Sequence, residues 1–287
     1  MTAGAIEARA EPFFLQRTRG QLFCLYHPPR GDCRGVILYV PPFAEEMNRA
    51  RRIAAQQARE LAALGYGVLQ PDLAGTGDSS GDFADARWET WKDDLAACCA
   101  WLGERIAHPP VLWGLRLGAL LALDYAQAAA HSLRALLLWQ PVTSGQAYLT
   151  QFLRMRTVNA VLADNASEQT GTRALRAALQ SGDILEIGGY ALDPALAAAI
   201  DALAPLERHT PPCPVHWFEM AAHSADKAGQ VLPPGAARAA EAWRSRHARL
   251  QVHPVDCPPF WAAGEGVGAP ALLAATSALL REDRLGH

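Results

Sequence analysis

The sequence predicts an α/β fold: a mostly parallel sheet covered by helices on both faces and interrupted by a helical insertion. Three observations lead there. Short apolar runs recur with helical segments between them, the pattern of βα units. One such run, Val111-Leu112-Trp113, enters a glycine-bounded turn, and a helix leaves it. Half of the 287 residues are apolar, enough to bury a core on both sides of a sheet within one unit.

Each element has a local reason. Residues 13–17 and 21–27 read as an antiparallel entry hairpin around Thr18 to Gly20. Residues 36–40 form a short apolar run ending at Pro41-Pro42, a buried strand that stops where its ladder would need amide donors. Asn48 is placed to cap the next helix, in which Ile53, Ala54, Ala58, Leu61 and Ala62 repeat along one face as far as Gly65. Residues 66–70 are the following strand, running into Pro71, Asp72 and the turn Gly75-Thr76-Gly77. Trp88, Trp91, Leu95, Cys98 and Leu102 alternate spacings of three and four, the stripe of an amphipathic helix. A strand at 111–113, a helix from Leu117 and a strand at 135–139 come next. From 145 to 207 the strand pattern lapses into an alanine- and leucine-rich stretch with arginines, broken at Ser181-Gly182-Asp183 and Gly188-Gly189. It reads as a mainly helical cap over the carboxyl edge of the sheet, leaving 1–144 and 208–287 as the core. Residues 215–218 and 250–255 resume the sheet, and a helix opened by Pro270 closes the fold.

Composition excludes several classes of function. A net charge of −3 and a pI near 6.3 give no basic surface for nucleic acid. The apolar stretches are broken by Asp124, His131 and Arg134, so no membrane span is expected. Met1 to Phe14 has no secretory pattern. The six cysteines, Cys24, Cys33, Cys98, Cys99, Cys213 and Cys257, make no CxxC pair and read as reduced thiols of a cytoplasmic protein. No metal or cofactor is expected.

The informative segment is Gly114-Leu115-Arg116-Leu117-Gly118. An apolar strand entering G-x-R-x-G with a helix leaving it is the context of the nucleophile elbow G-x-S-x-G. The glycines suit a turn so sharp that side chains there would strike the neighbouring strand and helix. The central residue is forced into a strained conformation and presented at the carboxyl edge of the sheet. Asp72-Leu73-Ala74-Gly75-Thr76-Gly77-Asp78-Ser79 matches the D-x-x-G-x-G-x-S turn that precedes the elbow in many such proteins, and no Lys-Ser/Thr follows to make it a phosphate loop.

On these residues the chain resembles the α/β-hydrolase superfamily along its whole length. More narrowly, it is similar to the second hydrolase-like protein associated with the exosortase A system, which accompanies PEP-CTERM protein sorting and exopolysaccharide production in bacteria. Pro41-Pro42-Phe43-Ala44-Glu45-Glu46-Met47-Asn48, Trp113-Gly114-Leu115-Arg116-Leu117-Gly118-Ala119 and Pro259-Phe260-Trp261 carry that likeness. It implies that an arginine at the elbow is a shared trait.

The hydrolase reaction needs a nucleophile, a histidine to take its proton and a carboxylate to orient the imidazole. Arg116 is no nucleophile, and a guanidinium that stays protonated is no base. The resemblance places the histidine after the last strand, where this chain has Asp256-Cys257-Pro258-Pro259-Phe260-Trp261. His253 lies inside that strand and reads as packed or edge-exposed. Glu219 ends the preceding strand, with His223 and Asp226 beyond it. Cys257 beside Asp256 is the nearest substitute nucleophile, and Ser144 is another without a partner. Glu45 and Glu46 fall on the segment expected to carry an oxyanion-hole amide, with Leu117 supplying the other. Two carboxylates oppose an oxyanion there and suit a cation, Arg116. The expected pocket is Phe43, Ala44, Glu45, Glu46, Arg116, Leu117, Phe260 and Trp261. Arg116 is expected to be held by Glu45 or Glu46 first and Glu219 second, through two parallel hydrogen bonds.

Three functions stay open at this point. One is a non-catalytic module binding a small-molecule, acyl or glycan ligand, or a protein partner. The second is a hydrolase of ester, acyl or glycan-linked substrates working through Glu45, Glu46 or Cys257. The third is a structural subunit with a filled pocket.

Overall fold

The computed structural model describes residues 9–129, 132–162, 171–221, 232–262 and 266–286. The chain opens with β1 (Glu11–Gln16) and β2 (Gln21–His27), an antiparallel hairpin that begins two residues earlier than the sequence pattern suggests. Then come β3 (Gly35–Val40), α1 (Glu45–Ala63), β4 (Tyr66–Pro71), α2 (Trp88–Arg105), β5 (Val111–Leu115), α3 (Leu117–Ala128) and β6 (Ala135–Trp139). The insertion holds α4 (Gly145–Leu162), α5 (Thr172–Gln180), the strands β7 (Leu185–Ile187) and β8 (Tyr190–Leu192), and α6 (Pro194–Ala202). β9 (Val215–Ala221), α7 (Pro234–Ser245), β10 (Leu250–Asp256) and α8 (Pro270–Arg281) complete the order.

Eight strands form one sheet in the order β1-β2-β4-β3-β5-β6-β9-β10, with β2 antiparallel to β4 and parallel pairing from β4 to β10. The central strands are buried on both faces, so their residues alternate between two cores. Leu38, Leu112 and Leu136 pack with α2 and α3 on one side, while Ile37, Trp113 and Leu137 pack with α1 and α8 on the other. Trp88, Trp91, Leu95, Cys98 and Leu102 are the buried face of α2, as their spacing predicts. No helix among the described residues is long and apolar enough to cross a membrane.

Two local expectations are corrected. Asn48 is not the cap of α1. The helix starts three residues earlier behind Ala44, and Asn48 Nδ2 instead reaches Glu45 Oε2 (3.2 Å) and the Tyr190 hydroxyl (2.9 Å). The carboxylates of Glu45 and Glu46 in the first turn complement the helix dipole where a capping side chain is missing. The insertion also contains a hairpin: Gly188 and Gly189, which read as a break between helices, both take positive φ and join β7 to β8.

At the start of β9, His216 is fully buried with Nδ1 3.2 Å from Nε2 of His253 on β10, and the His253 ring stacks on Phe218. Burial, then the neighbouring His253, push His216 down to about 4, and burial also lowers His253. The folded state therefore binds these protons less readily than the unfolded chain, where histidine titrates near 6.5. This contribution to stability is complete above pH 6.5 and is lost as the pH falls towards 4. Urea denaturation across that window is expected to show a loss on the order of 3 kcal/mol, and His216→Leu is expected to flatten it.

Candidate functional site

The site is built by two strand-to-helix turns that meet. Arg116 joins β5 to α3 with φ 56° and ψ −119°, and Ala44 precedes α1 with φ 52° and ψ −129°. A side chain at positive φ is costly, about 1–3 kcal/mol, so the surroundings must enforce it. Arg116 N–H donates to the Trp139 carbonyl (3.0 Å), and the Arg116 carbonyl accepts from Ala119 (3.1 Å) and Val142 (3.3 Å). A Cβ on Gly114 would stand 2.5 Å from Ala119 Cα, and one on Gly118 would stand 2.3 Å from the Pro41 carbonyl. Only glycine at both positions lets α3 fold back against β5 and against the end of β3. That contact brings the first turns of α1 and α3 together. The amides of Phe43, Ala44 and Leu117 have no acceptor among the described residues.

The Arg116 side chain does not take the geometry expected of it. Nε and Nη2 both approach one oxygen, Glu46 Oε1, at 3.4 Å, a long single-acceptor contact in place of two parallel bonds. The pair is mostly enclosed, with side-chain exposures of 15 % and 20 %. The guanidinium lies 5.1 Å from the Trp261 ring and 5.8 Å from the Tyr148 ring of α4, within cation–π range. Burial raises the Glu46 carboxyl, opposed by the charge of Arg116 and by Tyr148, and its Oε2 is buried with no partner among the described residues. Burial pushes the Tyr148 hydroxyl well up, and the Glu46 charge adds to it.

The other acids are differently engaged. Glu45 and Glu46 sit in the first turn of α1, where the sequence left them on a loop. Glu45 is tied to Asn48, Arg49 and Tyr190. Burial raises its carboxyl, but these hydrogen bonds outweigh that and hold it below the ordinary value. Glu219 is buried and accepts from Trp217 Nε1 (2.8 Å) and Gln140 Nε2 (3.0 Å), not from Arg116, whose charge it only senses. Gln140, at φ 43°, also accepts the Met220 amide (2.6 Å) and was not anticipated from the sequence.

The substitute nucleophiles are occupied or inert. Cys257 is buried, donates to the Pro258 carbonyl (3.4 Å), and its thiol is pushed up to about 11 by burial and then by Asp256. Ser144 Oγ accepts the Ala147 amide (3.2 Å) as the start of α4. His223 and Asp226 lie outside the described residues. Phe260 and Trp261 are buried on the side of β5 opposite the cleft. That cleft is apolar, lined by Phe43, Ala44 and Leu117 together with Met47, Leu73, Trp88, Trp91 and Leu121. The tryptophans were visible in the sequence only as a helix stripe.

A mostly parallel eight-stranded sheet with a strained elbow at the end of β5 defines the α/β-hydrolase class. Within it, residues 31–207 match the family described as serine aminopeptidase S33, and the chain belongs to that family. A palmitoyl-protein thioesterase of mitochondria from Rattus norvegicus is 27 % identical over 116 residues, 40 % of this chain and 37 % of that protein. Among solved structures, a thermostable carboxyl esterase from Bacillus coagulans superposes with a TM-score of 0.62 at 13 % identity, covering 96 % of this chain and 97 % of that one. A soluble variant of monoglyceride lipase from Saccharomyces cerevisiae gives 0.62 at 14 % identity, covering 97 % and 96 %.

Two substitutions test the geometry by urea denaturation at pH 7. Arg116→Ala strands the Glu46 carboxylate and is expected to cost about 2 kcal/mol, less than a dry, bidentate pair would. Gly118→Ala drives a Cβ onto two backbone carbonyls of the β3 end and is expected to cost about 3 kcal/mol.

Proposed function

We propose that this chain is a hydrolase-fold binding protein that has given up serine chemistry and serves a bacterial exosortase- and exopolysaccharide-associated pathway. The observation that carries the reading is Arg116 at the elbow, charged, strained and held by Glu46. A nucleophile there would need a general base, and the chain has no histidine between His253 and the terminal His287. Support comes from the unpaired amides of Phe43, Ala44 and Leu117 and the apolar lining of the adjoining cleft, features that suit holding a ligand without cleaving it. The free cysteines fit the cytoplasm. The pathway rests on the likeness of the segments around Glu45, Arg116 and Trp261. Hydrolysis through Cys257 is disfavoured because its thiol is buried and held protonated.

Ester panels of increasing acyl length and a fluorophosphonate probe followed by mass spectrometry test the loss of chemistry. The parent is expected to show no turnover above buffer and no adduct. Arg116→Ser is expected to remain inactive, since the missing base alone is worth about 100- to 10,000-fold. Turnover abolished by Glu46→Gln or Cys257→Ala would establish an unorthodox enzyme instead. Deleting the gene in its host is expected to lower exopolysaccharide output, and unchanged output would remove the pathway.

A further inference from the structure

We propose that the space between α1 and the β2–β4 pair is a second binding site, for a neutral, single-ring molecule carrying a carbonyl oxygen. The ring lies against Phe23, Leu25 and Ala54, and the oxygen accepts from the unused edge of Arg51. This goes beyond the reading of the elbow and holds whatever Arg116 does.

Where α1 passes over β2 and β4 it brings Ala54 and Ala55, whose methyl groups leave the space beneath unfilled. The result is a cavity of about 220 Å³, partly open to solvent. An engineered apolar cavity of about 150 Å³ admits benzene, so a six-membered ring with a short substituent fits here. The wall is mainly apolar, with the half-buried Phe23 and Leu25 on one side and Met47, Ala54 and Ala55 on the other. Water would find few partners along it, which favours an organic occupant. Pro41 and Met47 are the walls shared with the cleft at the elbow, and none of residues 114–118 lines this cavity.

The polar rim is held in place by the turn at 72–79. Arg51 Nη2 reaches across to both oxygens of Asp72, Oδ1 at 3.0 Å and Oδ2 at 3.1 Å, and Oδ2 also accepts the Asp78 amide (3.0 Å). Gly77 is required beside this pair, because a Cβ there would strike Asp72 Oδ2. Ser79 Oγ donates to the Asp72 carbonyl (2.6 Å) and accepts the Phe23 amide (2.8 Å), so one turn fixes both the rim and the apolar wall. Gln70, also on the wall, is engaged by His27 at 3.0 Å. The ion pair uses one nitrogen of the Arg51 guanidinium, and Nε and Nη1 have no acceptor among the described residues. Asp72 balances the charge, so the site is left with hydrogen-bond donors and no net charge. A carboxylate ligand would be set beside Asp72 and an ammonium beside Arg51, and a carbonyl oxygen meets neither repulsion.

NMR titration of methyl-labelled protein with acetophenone, benzoate and ethylbenzene tests the proposal. Acetophenone is expected to shift the methyl groups of Leu25 and Ala54 and to leave that of Leu117 at the elbow unmoved. Benzoate, the same shape with a negative charge, is expected to bind about tenfold more weakly. Arg51→Lys keeps a cation for Asp72 but has no second edge. It is expected to weaken acetophenone about fivefold, the worth of one hydrogen bond, and to leave ethylbenzene unchanged. Ala55→Leu, which fills the cavity with a good helix former, is expected to abolish binding of both without lowering the urea midpoint. Binding of neither ring compound, which would leave the cavity to water, would overturn the proposal. So would benzoate binding as tightly as acetophenone, acetophenone indifferent to Arg51→Lys or Ala55→Leu, or shifts confined to Leu117.

Discussion

The constraint on which the site depends is the backbone of residue 116. β5 must turn into α3 within one residue, and the fold meets that demand with φ 56° at Arg116 and bare glycines on either side. The same packing presses Gly118 against the end of β3, which brings the starts of α1 and α3 together, where the amides of Phe43, Ala44 and Leu117 have no acceptor among the described residues. The turn selects where a side chain is presented and says nothing about which chemistry it brings. In a serine hydrolase it presents a hydroxyl to the oxyanion hole. Here it presents a permanent cation, which lies against Glu46.

A cation in an enclosed place has consequences for its neighbours. Glu46 lies in the first turn of α1, where the helix dipole already favours an acid, so one residue serves both the helix start and the arginine. The aromatic rings of Trp261 and Tyr148 flank the guanidinium and exclude water without neutralising it. Tyr148 comes from the insertion, as does Tyr190, whose hydroxyl donates to Glu45 at 3.2 Å, while Arg87 of the core meets Asp193 at 3.0 Å. Residues 145–202 are therefore tied to the rest of the chain through Tyr148 and Tyr190 beside the elbow and through the Arg87–Asp193 pair. Beneath, the Tyr39 hydroxyl and the Trp113 indole nitrogen are buried without partners among the described residues, which marks this side of β3 and β5 as a place where polar groups are tolerated at some cost.

The architecture was legible because its signals are local and repeated: apolar strands ending at proline or glycine, and one helix stripe from Trp88 to Leu102. The elbow was legible because its steric demand leaves only glycine at 114 and 118. Other features were set by tertiary contacts that periodicity does not report. Asn48 looks like a cap, yet α1 begins at Glu45 because Ala44 is held in the strained turn. The hairpin at Gly188-Gly189 spans too few residues to show an alternating pattern against the helical background. Trp88 and Trp91 face the cleft as well as the core, and Gln140 reaches Glu219 across β6 and β9, relationships that exist only once the sheet is assembled.

The most direct measurement is an NMR titration of the Glu46 side-chain carboxyl, carbon-13 labelled, in the parent and in Arg116→Ala. A carboxyl enclosed with Arg116 should titrate above the ordinary 4.5 in the parent. It should rise further in the variant, because the arginine is the largest influence holding it down. Titration at the ordinary value in both proteins, or a Glu46 indifferent to the loss of Arg116, would contradict an enclosed ion pair at the elbow.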